Sequence, residues 1–289
     1  MFLSELLPKI EIHCWGGLGS QLYAVVLRLE LEAKYPSRKF TIVCHDNGVT
    51  RRTSEISLFF PGSVISVEDY ALSRQFEVGA RHSQVVNGKR IFRNLLVKLL
   101  RLFSVVLEGD RKRGLAKVRF WTLQVRGHYS ERKLDQSALL QVRNMISQAS
   151  QVQTFDSGSQ NLFVHYRLGD LLTLHDKSPI SSDRVLEVLQ DLHSRIGSRI
   201  ELFSDSPDRA TDFLAAGNFP VDVARDITAL DTLWILVNSR YFIGTNSKIS
   251  IWAVILNNTS SSRVESYLPY ELQHHIIGNV GSLGNLKYY

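Results

Sequence analysis

The feature that most constrains the fold is a repeated order of segments in residues 162–257. Short apolar segments are each followed by polar residues and then by apolar residues at helical spacing. The apolar segments are 162–166, 199–203 and 241–244, and the helical segments are 182–196, 207–215, about 230–237 and 248–257. Strands that alternate with helices are typical of a parallel sheet with helices on both faces. This half of the chain is therefore predicted to be a doubly wound α/β domain.

The first half opens in the same way. Residues 9–14 read as a strand, 15–21 as a glycine-rich turn that leads into a helix, and 40–44 as a second strand. Such an order indicates a parallel pair of strands with a right-handed crossover. Further along, helix-like stretches occur at 91–107 and 131–149, and strand-like pieces at 63–67 and 118–126.

The polar, turn-forming segment 151–160 indicates a domain boundary. At 289 residues the chain is long enough for two domains of ordinary size. We therefore predict an N-terminal domain in 1–155 and a C-terminal domain in 156–289.

Positive charge is concentrated in residues 81–126. This segment has 12 Lys or Arg and only two acidic residues, Glu108 and Asp110, whereas the whole chain has a net charge of +6. Within it, residues 91–103 are largely apolar and carry Arg93, Lys98 and Arg101 at helical spacing, which favours an interfacial helix on an anionic membrane. The alternative is an ordinary packed helix with a solvated basic face. Nucleic acid is not expected as a partner, because the segment lacks interleaved stacking aromatic residues.

Neither a membrane span nor export is expected. No apolar run approaches the roughly 18–20 residues that a span needs. Residues 1–10 lack the layout of a signal peptide. The two cysteines, Cys14 and Cys44, are predicted to be buried free thiols, as in a reducing compartment. The expected location is the cytoplasm, with peripheral contact to the inner membrane.

Polar clusters follow all three strands of the second half. They are His165, Arg167, Gly169 and Asp170; Ser204 and Asp205; and Thr245, Asn246, Ser247 and Lys248. The carboxyl ends of parallel strands are where open α/β sheets bind ligands, and a helix N-terminus favours anions. Each cluster has a structural alternative: an Arg167–Asp170 ion pair, helix capping by Asp205, and capping by Asn246 or Ser247. Together they favour a phosphate-bearing nucleotide, with Arg167 on the phosphate.

The chain also resembles a known family in five segments that occur in family order. That family is the α-1,2-fucosyltransferases of glycosyltransferase family 11, the bacterial branch especially, within the α-1,2/α-1,6/protein-O-fucosyltransferase superfamily. The segments are 16–22 (GGLGSQL), 127–133 (GHYSERK), 165–170 (HYRLGD), 203–205 (FSD), and Asp231 with 244–253 (GTNSKISIWA). The chain departs from the family at four places: Leu168 replaces the second signature arginine, Ser20 an asparagine, Lys248-Ile249 a Ser-Phe pair, and Ile251 a tryptophan.

The resemblance implies a GT-B architecture, with two Rossmann-like domains facing across a cleft, and transfer with inversion. It places the donor on the C-terminal domain and the acceptor mainly on the N-terminal one. Arg167 and Asp170 are the residues assigned to catalysis. The donor-binding residues are His165, Gly169, Ser204, Asp205, Asp231, Thr245, Asn246, Ser247 and Lys248. The acceptor residues are Gly16, Gly17, Gly19, Ser20, Gln21, Asp46, His128 and Tyr129.

No Asp-x-Asp motif occurs, so neither a metal nor any other cofactor is expected, and protein cations are expected to meet the leaving charge. Candidate general bases are His13, Asp46 and Asp170. The leading hypothesis is transfer of L-fucose from GDP-fucose, in α-1,2 linkage, to a glycan or lipid-linked acceptor in O-antigen or capsule synthesis. The alternatives are another nucleotide-sugar donor on the same fold, and a catalytically silent sugar-nucleotide or glycan-binding module.

Overall fold

The computed structural model describes residues 8–45, 54–60, 64–67, 99–100, 102–104, 106–108, 117–152, 161–172, 178–259 and 264–289. The chain divides into two compact units, Met1–Ala138 and Leu139–Tyr289. Elements are numbered below along these described residues. None of the helices among them is both long and apolar enough to span a membrane.

The first unit contains a five-stranded parallel sheet in the order β3-β2-β1-β5-β4. Its elements are β1 (Ile10–Trp15), α1 (Leu18–Lys34), β2 (Phe40–His45), β3 (Val64–Val67), β4 (Val106–Glu108) and β5 (Gln124–Arg126). The connection β1-α1-β2 confirms the parallel unit predicted at the start of the chain.

Side chains alternate between the two faces of this sheet, as in any strand. Ile10, Ile12 and Cys14 of β1 share one face and are buried, and apolar residues of α1 are buried as well. Cys14 and Cys44 are paired in register with their sulfur atoms 3.4 Å apart, and both are free thiols. The prediction of two buried, unlinked cysteines is confirmed. Their mutual hydrogen bond and their burial raise the pKa of the Cys14 thiol.

Arg38 holds the segment before β5 in an irregular conformation. Its guanidinium donates to the carbonyl oxygens of Pro8, Arg119, Phe120 and Thr122 at 3.1–3.2 Å. Carbonyl groups that accept from a side chain are not available to a strand ladder. The strand predicted over 118–126 is therefore confined to Gln124–Arg126.

The second unit contains a six-stranded parallel sheet in the order β11-β10-β9-β6-β7-β8. The strands are β6 (Leu162–His165), β7 (Ile200–Phe203), β8 (Val221–Val223), β9 (Tyr241–Gly244), β10 (Glu265–Leu268) and β11 (Leu286–Tyr288). The helices are α2 (Gln136–Ala149), α3 (Ser182–Ile196), α4 (Pro207–Leu214), α5 (Ala229–Asn238), α6 (Lys248–Asn257) and α7 (Gln273–Val280). In chain order this is the 3-2-1-4-5-6 arrangement of a Rossmann sheet. The α/β class with Rossmann-like domains is confirmed.

The alternation of side chains between the two faces of the sheet continues past the end of β6. Val164, Tyr166 and Leu168 belong to one buried cluster, together with Val185 and Leu189 of α3. Every second residue from the strand into the following loop therefore enters the core, and Arg167 lies on the other side. Strands β8, β10 and β11 were not predicted, because they lack an apolar segment: each has only three or four residues, and one of these is charged.

Along the chain, the first unit ends and the second begins within α2, at 138/139, whereas the sequence placed the boundary at 155/156. The reason lies in the contacts of the segment after α2. Ser150 Oγ and Gln151 N both donate to the Asp231 carboxylate, at 2.7 and 2.9 Å, and Asp231 belongs to the second sheet's helical layer. The polar composition at 151–160 indicated a turn, but the helix before it already packs with the C-terminal unit.

Most of the predicted helix at 91–107 and of the basic segment 81–126 lies outside the described residues. Residues 106–108 form strand β4, so the helix-like pattern does not extend to 107. The helix predicted at 131–149 is shorter and begins at Gln136. Asp135 accepts hydrogen bonds from the amides of Ser137 and Ala138, which explains why the helix starts there.

Removing the Arg38 guanidinium should destabilise the first unit strongly. In Arg38→Met the side-chain volume is kept, but four carbonyl oxygens lose their donor. We expect a loss of about 3 kcal/mol in the free energy of unfolding, measured by chemical denaturation. Lys39→Met is the control, because Lys39 is exposed beside it. Equal stability of the two variants would contradict this role for Arg38.

Candidate functional site

The second sheet reverses its strand order between β6 and β9. From β6 the chain adds β7 and β8 on one side, then returns to add β9, β10 and β11 on the other. Ligands of open α/β sheets bind outside the carboxyl ends of the strands at such a switch point. His165 ends β6, Gly244 ends β9, and the two are paired in register. The two polar clusters that follow these strands are therefore brought together, as the sequence indicated.

Hydrogen bonds fix the loop that carries Arg167. The Arg167 amide donates to Thr245 Oγ1 at 2.9 Å, and Thr245 itself bonds to the His165 carbonyl oxygen. The amides of Leu168 and Gly169 both donate to Asp205 Oδ1, at 2.9 and 3.0 Å. Residues that follow β7 and β9 thus hold three consecutive amides of the loop after β6. The Arg167 side chain, which is partly exposed, starts from a rigid backbone.

Position 169 requires a glycine, because the Asp205 carboxylate lies close to it. A Cβ at position 169 would lie 2.1 Å from Asp205 Oδ2 and 2.7 Å from its Cγ. The carboxylate does not cap α4, whose N-cap is Ser206. Asp205 stays a predicted donor-binding residue, and the structure shows that its Oδ1 holds the loop that presents Arg167.

His165 links the end of β6 to α6. Its Nδ1 lies 2.8 Å from Ser250 Oγ, and both side chains are buried. Burial lowers the pKa of His165 to about 4, although Asp205 acts in the opposite direction and Arg167 in the same one. The ring is therefore neutral at pH 7. Its contacts are those of a residue that braces the site.

Leu168 stands where the resembling family has a second arginine, and it is fully buried in the core of the unit. Tyr166, two residues earlier, is also buried, and its hydroxyl donates to the Ile180 carbonyl oxygen at 2.7 Å. A guanidinium at position 168 would enter this apolar cluster, where an unpaired charge is costly. The loop therefore offers one arginine, Arg167, to the carboxyl edge.

Helix α6 begins beside this loop. Ser247 is its N-cap, and its hydroxyl accepts from the Ile249 amide at 3.1 Å, so the capping alternative holds for this residue. Thr245 is fully buried, whereas Asn246 and Lys248 are partly exposed at the helix start. Gly244 permits the close approach of α6, because a Cβ there would meet the Ser250 Cβ at 2.7 Å.

Asp231 stays a predicted donor-binding residue, and its carboxylate makes hydrogen bonds within the second unit. Oδ1 accepts from Ser150 and Gln151, and Oδ2 accepts from the Thr228 hydroxyl. Burial alone would raise the pKa of Asp231, but these hydrogen bonds lower it overall. Thr228 in turn caps α5 by accepting from the Asp231 amide. Asp231 therefore joins α2 to the start of α5.

A cavity of about 290 Å³ lies at the ends of β7 and β8. It is lined by Phe203, Ser204, Pro207, Ala224, Arg225, Asp226, Ile227 and Thr232. Ser204 was a predicted donor-binding residue, and the residues after β8 were missed because that strand was missed. Asp226 has a φ of 56°, which is unusual for a residue other than glycine and was not indicated by the sequence.

Two predicted residues cannot be placed. Asp46 lies outside the described residues. The backbone of Asp170 forms part of the 3-10 turn Gly169–Leu172, but its side chain lies outside the description. Among the described residues, no three His, Cys, Asp or Glu side chains are grouped so that they could hold a metal ion.

The glycine turn of the first unit is occupied by the protein's own carboxylate. Leu18, the first residue of α1, donates its amide to Glu55 Oε1 at 3.2 Å. Gln21 is buried, donates to the Gly16 carbonyl oxygen and accepts from the amides of Glu55 and Ile56. Gly16 has a φ of +87°, and Gly17 is the N-cap of α1. Gly17 and Gln21 therefore build the turn and attach it to 54–60, and Gly19 and Ser20 lie in the first turn of α1.

Tyr129 and His128 are adjacent, but the side chain of Tyr129 is buried and that of His128 is exposed. Tyr129 is fully buried with a φ of 58°, and its hydroxyl lies 2.5 Å from the His13 carbonyl oxygen and 2.9 Å from that of Val125. Its side chain links β1 to β5, and its role as an acceptor contact stays a prediction. His128 is exposed, with its ring 6.4 Å from that of Trp15.

A group of rings occupies the carboxyl end of β1 and β2. The rings of Trp15 and His45 stack at 4.8 Å, and those of His45 and His13 at 5.1 Å. His13 was named only as one candidate base, and His45 and Trp15 were missed. Their only sequence signal was their position at the ends of two apolar strands that pair in register.

Comparison with known proteins gives similarity at the level of the fold. No protein-family model matches the sequence, and no curated protein does. The chain is similar to the structure of E. coli heptosyltransferase WaaC with ADP, at 14% identity and a TM-score of 0.49, over 97% of this chain and 92% of that one. It is also similar to NodZ α-1,6-fucosyltransferase co-crystallized with GDP, at 13% identity and a TM-score of 0.42, over 86% of this chain and 92% of that one. A third similar structure is POFUT1 in complex with GDP, at 12% identity and a TM-score of 0.44, over 90% of this chain and 98% of that one.

Gly169→Ala should disrupt the Arg167 loop, because the added methyl group displaces the Asp205 carboxylate from the two amides that it accepts. We expect a loss of about 1–3 kcal/mol in the free energy of unfolding, measured by chemical denaturation. The control is Gly278→Ala in α7, where a Cβ meets nothing within 4 Å. That variant should be neutral or more stable, since alanine is the better helix former. A Gly169→Ala protein as stable as Gly278→Ala would show that the contact is not tight.

Proposed function

We propose that this protein is a glycosyltransferase that uses a nucleotide-sugar donor bound at the carboxyl edge of the second sheet. The observation that carries the proposal is the fixed Arg167 loop at the β6/β9 switch point. Asp205 after β7 and Thr245 after β9 hold three consecutive loop amides there, and the one arginine of the loop lies outside the core. A preorganised guanidinium at a ligand-binding edge is suited to a diphosphate leaving group.

In this proposal, groups of the protein stabilise the negative charge that develops on the leaving diphosphate. Arg167 supplies a planar pair of donors, which match phosphate oxygens better than a single ammonium does. The start of α6 adds amide N–H groups and the positive end of a ten-residue helix. Lys248, at the first position of that helix, supplies the second positive charge that Leu168 does not. This assignment requires no metal ion.

The cavity beyond β7 and β8 is assigned to the nucleobase or ribose. Its volume of about 290 Å³ lies near the lower end of the range for small-molecule sites. Its wall combines an aromatic ring, Phe203, with polar groups of Ser204, Arg225, Asp226 and Thr232. It lies at the end of β7, the strand next to β6, so a nucleotide with its phosphate at Arg167 extends toward it along the sheet edge.

The donor that we propose first is GDP-fucose, with transfer in α-1,2 linkage and inversion, onto a glycan of a surface polysaccharide such as O-antigen or capsule. Its support is the resemblance of five ordered sequence segments to the fucosyltransferase family. The burial of Leu168 favours the alternative of another nucleotide sugar, because one expected guanidinium is absent from the site. A panel of GDP-, UDP-, dTDP- and ADP-sugars, tested for binding and slow hydrolysis, separates the two. Binding without turnover would favour a silent binding module.

Arg167→Lys should lower turnover about a hundredfold, because the lysine keeps the charge but loses the planar fork that contacts two phosphate oxygens. The measurement is kcat for release of the nucleotide from the preferred donor of the panel. Arg199→Lys is the matched control: Arg199 is exposed and lies before β7, at the opposite end of the strand. Near-normal turnover of Arg167→Lys would remove Arg167 from this role.

We also propose that the first unit docks on the anionic inner leaflet of the membrane, and hence that the protein is cytoplasmic and peripheral. The support is a group of exposed apolar side chains within the basic segment 81–126. They are Leu99, Leu102, Phe103, Phe120, Trp121 and Leu123. Exposed aromatic and aliphatic residues among basic residues are typical of interfacial membrane binding.

Phe103→Ser/Phe120→Ser should weaken binding to phosphatidylserine vesicles at least tenfold, because each ring contributes apolar area. Both rings are exposed, by 62% and 67%, so their loss leaves the core intact. Tyr270→Ser, equally exposed in the second unit, is the control. Vesicle sedimentation should also show weaker binding at high salt. If the wild-type protein does not bind the vesicles, the docking proposal is wrong.

A further inference from the structure

The peptide group that joins Gly244 to Thr245 lies at the end of β9 and is hydrogen-bonded on both sides. Its N–H group donates to the His165 carbonyl oxygen at 3.1 Å. Its carbonyl oxygen accepts from the Tyr289 hydroxyl at 3.0 Å. Because a peptide group is planar and its N–H and C=O point in opposite directions, these two bonds fix its orientation. Tyr289 therefore contributes to the geometry of the switch point.

The orientation of this peptide group matters for the loop that carries Arg167. Thr245 follows the group directly, and its Oγ1 accepts from the Arg167 amide at 2.9 Å. Two hydrogen bonds and one residue thus connect the Tyr289 hydroxyl to the backbone of Arg167. All of these groups belong to the second unit.

Tyr289 bonds to β9 just past the point where β9 pairs with β10. The register of the two strands runs to Ile243 and Tyr267, so Gly244 lies one residue further along. Gly244 is buried, and a buried carbonyl oxygen needs a donor. Pro269, the residue after β10, has no N–H group to offer. A side-chain hydroxyl supplies a donor at this place.

The main chain of Tyr289 is held by its own contacts. Its amide donates to the Leu268 carbonyl oxygen at 3.1 Å, and its main-chain oxygen accepts from the Tyr270 amide at 3.0 Å. The same oxygen accepts from Arg184 Nη2 at 2.6 Å, and the Arg184 guanidinium also donates to both carboxylate oxygens of Glu271, at 2.7 and 3.2 Å. The side chain thus starts from a fixed backbone, as a group that positions another group should.

The hydroxyl of Tyr289 stays protonated and can donate at neutral pH. The ring is half-buried and packs against the core cluster that contains Tyr166 and Leu168. This burial raises the pKa of Tyr289 well above its usual value. The Arg184 guanidinium acts in the opposite direction, whereas Tyr166 and Glu271 act in the same one.

We propose that Tyr289 is a positioning residue for the donor phosphates. Through the peptide group between Gly244 and Thr245, its hydroxyl keeps the Arg167 loop in the conformation that presents the guanidinium. The inference rests on the proposed glycosyltransferase function, which assigns the diphosphate to Arg167. The structural alternative is that the ring only fills the edge of the core. The two differ in the hydroxyl group, which only the positioning role requires.

Amide hydrogen exchange of the full-length protein, followed by NMR without any donor, is the direct test. Tyr289→Phe keeps the ring and removes only the hydroxyl. The amides of Arg167 and Thr245 should exchange about three- to tenfold faster, because the loss of one hydrogen bond changes a local opening equilibrium by about this factor. The amide of Ile243, inside β9, should exchange as in the wild type.

The kinetic test measures nucleotide release from the donor preferred in the panel. Tyr289→Phe should lower kcat about three- to tenfold and change KM less than twofold, because Arg167 acts on charge that develops as the diphosphate leaves. Adding Tyr289→Phe to Arg167→Lys should change kcat less than twofold, since the lysine has already lost the fork that the loop presents. A merely structural defect would lower kcat by the same factor in both backgrounds.

Tyr267→Phe is the matched control. Tyr267 belongs to the same core cluster, but its hydroxyl contacts Arg195 and Glu265, and Glu265 is the first residue of β10, at the other end of the sheet. This variant should leave the exchange of the Arg167 and Thr245 amides and the value of kcat within twofold of wild type.

Unchanged exchange of these two amides in Tyr289→Phe, equal acceleration by Tyr267→Phe, or equal kinetic effects in the two backgrounds overturns the positioning role. If the wild-type protein neither binds nor hydrolyses any donor, the proposed function itself fails. The exchange experiment needs no donor, so the two failures are distinguished.

Discussion

The second sheet's candidate site depends on one carboxylate, that of Asp205. It accepts from two consecutive amides of the loop after β6, while Thr245 from the other side of the switch point accepts from the amide before them. Buried or partly buried amides need such partners, and here the partners come from the ends of two other strands, β7 and β9. The conformation of the Arg167 loop is therefore a property of the sheet order. A residue predicted to bind a ligand turns out to build the surface on which the ligand is proposed to bind.

The two sheets use their helix N-termini differently. In the first unit Glu55 places its carboxylate at the start of α1, where a phosphate would otherwise be favoured. In the second unit the N-cap of α6 is Ser247, whose neutral hydroxyl accepts from the Ile249 amide. This difference supports the proposal that the nucleotide binds to the second unit, and it leaves the first sheet's edge, with its stacked rings, for a neutral ligand such as a sugar.

The sequence predicted the regular part of the fold, because the apolar segments at β1, β2, β6, β7 and β9 have the composition and spacing of buried strands. It did not predict β8, β10 and β11, where a charged residue interrupts a strand of only three or four residues. In the site, strand-end position correctly brought His165, Arg167, Asp205 and Thr245 together. Position alone could not separate residues that face the edge from those that support it. That difference depends on long-range hydrogen bonds, such as those of Asp231 and Tyr129, to which the sequence gives no guide.

The burial of Leu168 has a consequence for ligand discrimination. A loop with two outward-facing arginines can contact two phosphates at once and so distinguish a nucleoside diphosphate from a monophosphate by itself. Here the alternation that continues from β6 sends position 168 into the core, and only one guanidinium remains on the loop. Under the proposed assignment, discrimination by phosphate number falls to the start of α6, a separate element that follows β9. Recognition of the first phosphate and of the second are thus assigned to different parts of the chain, which can change independently of each other.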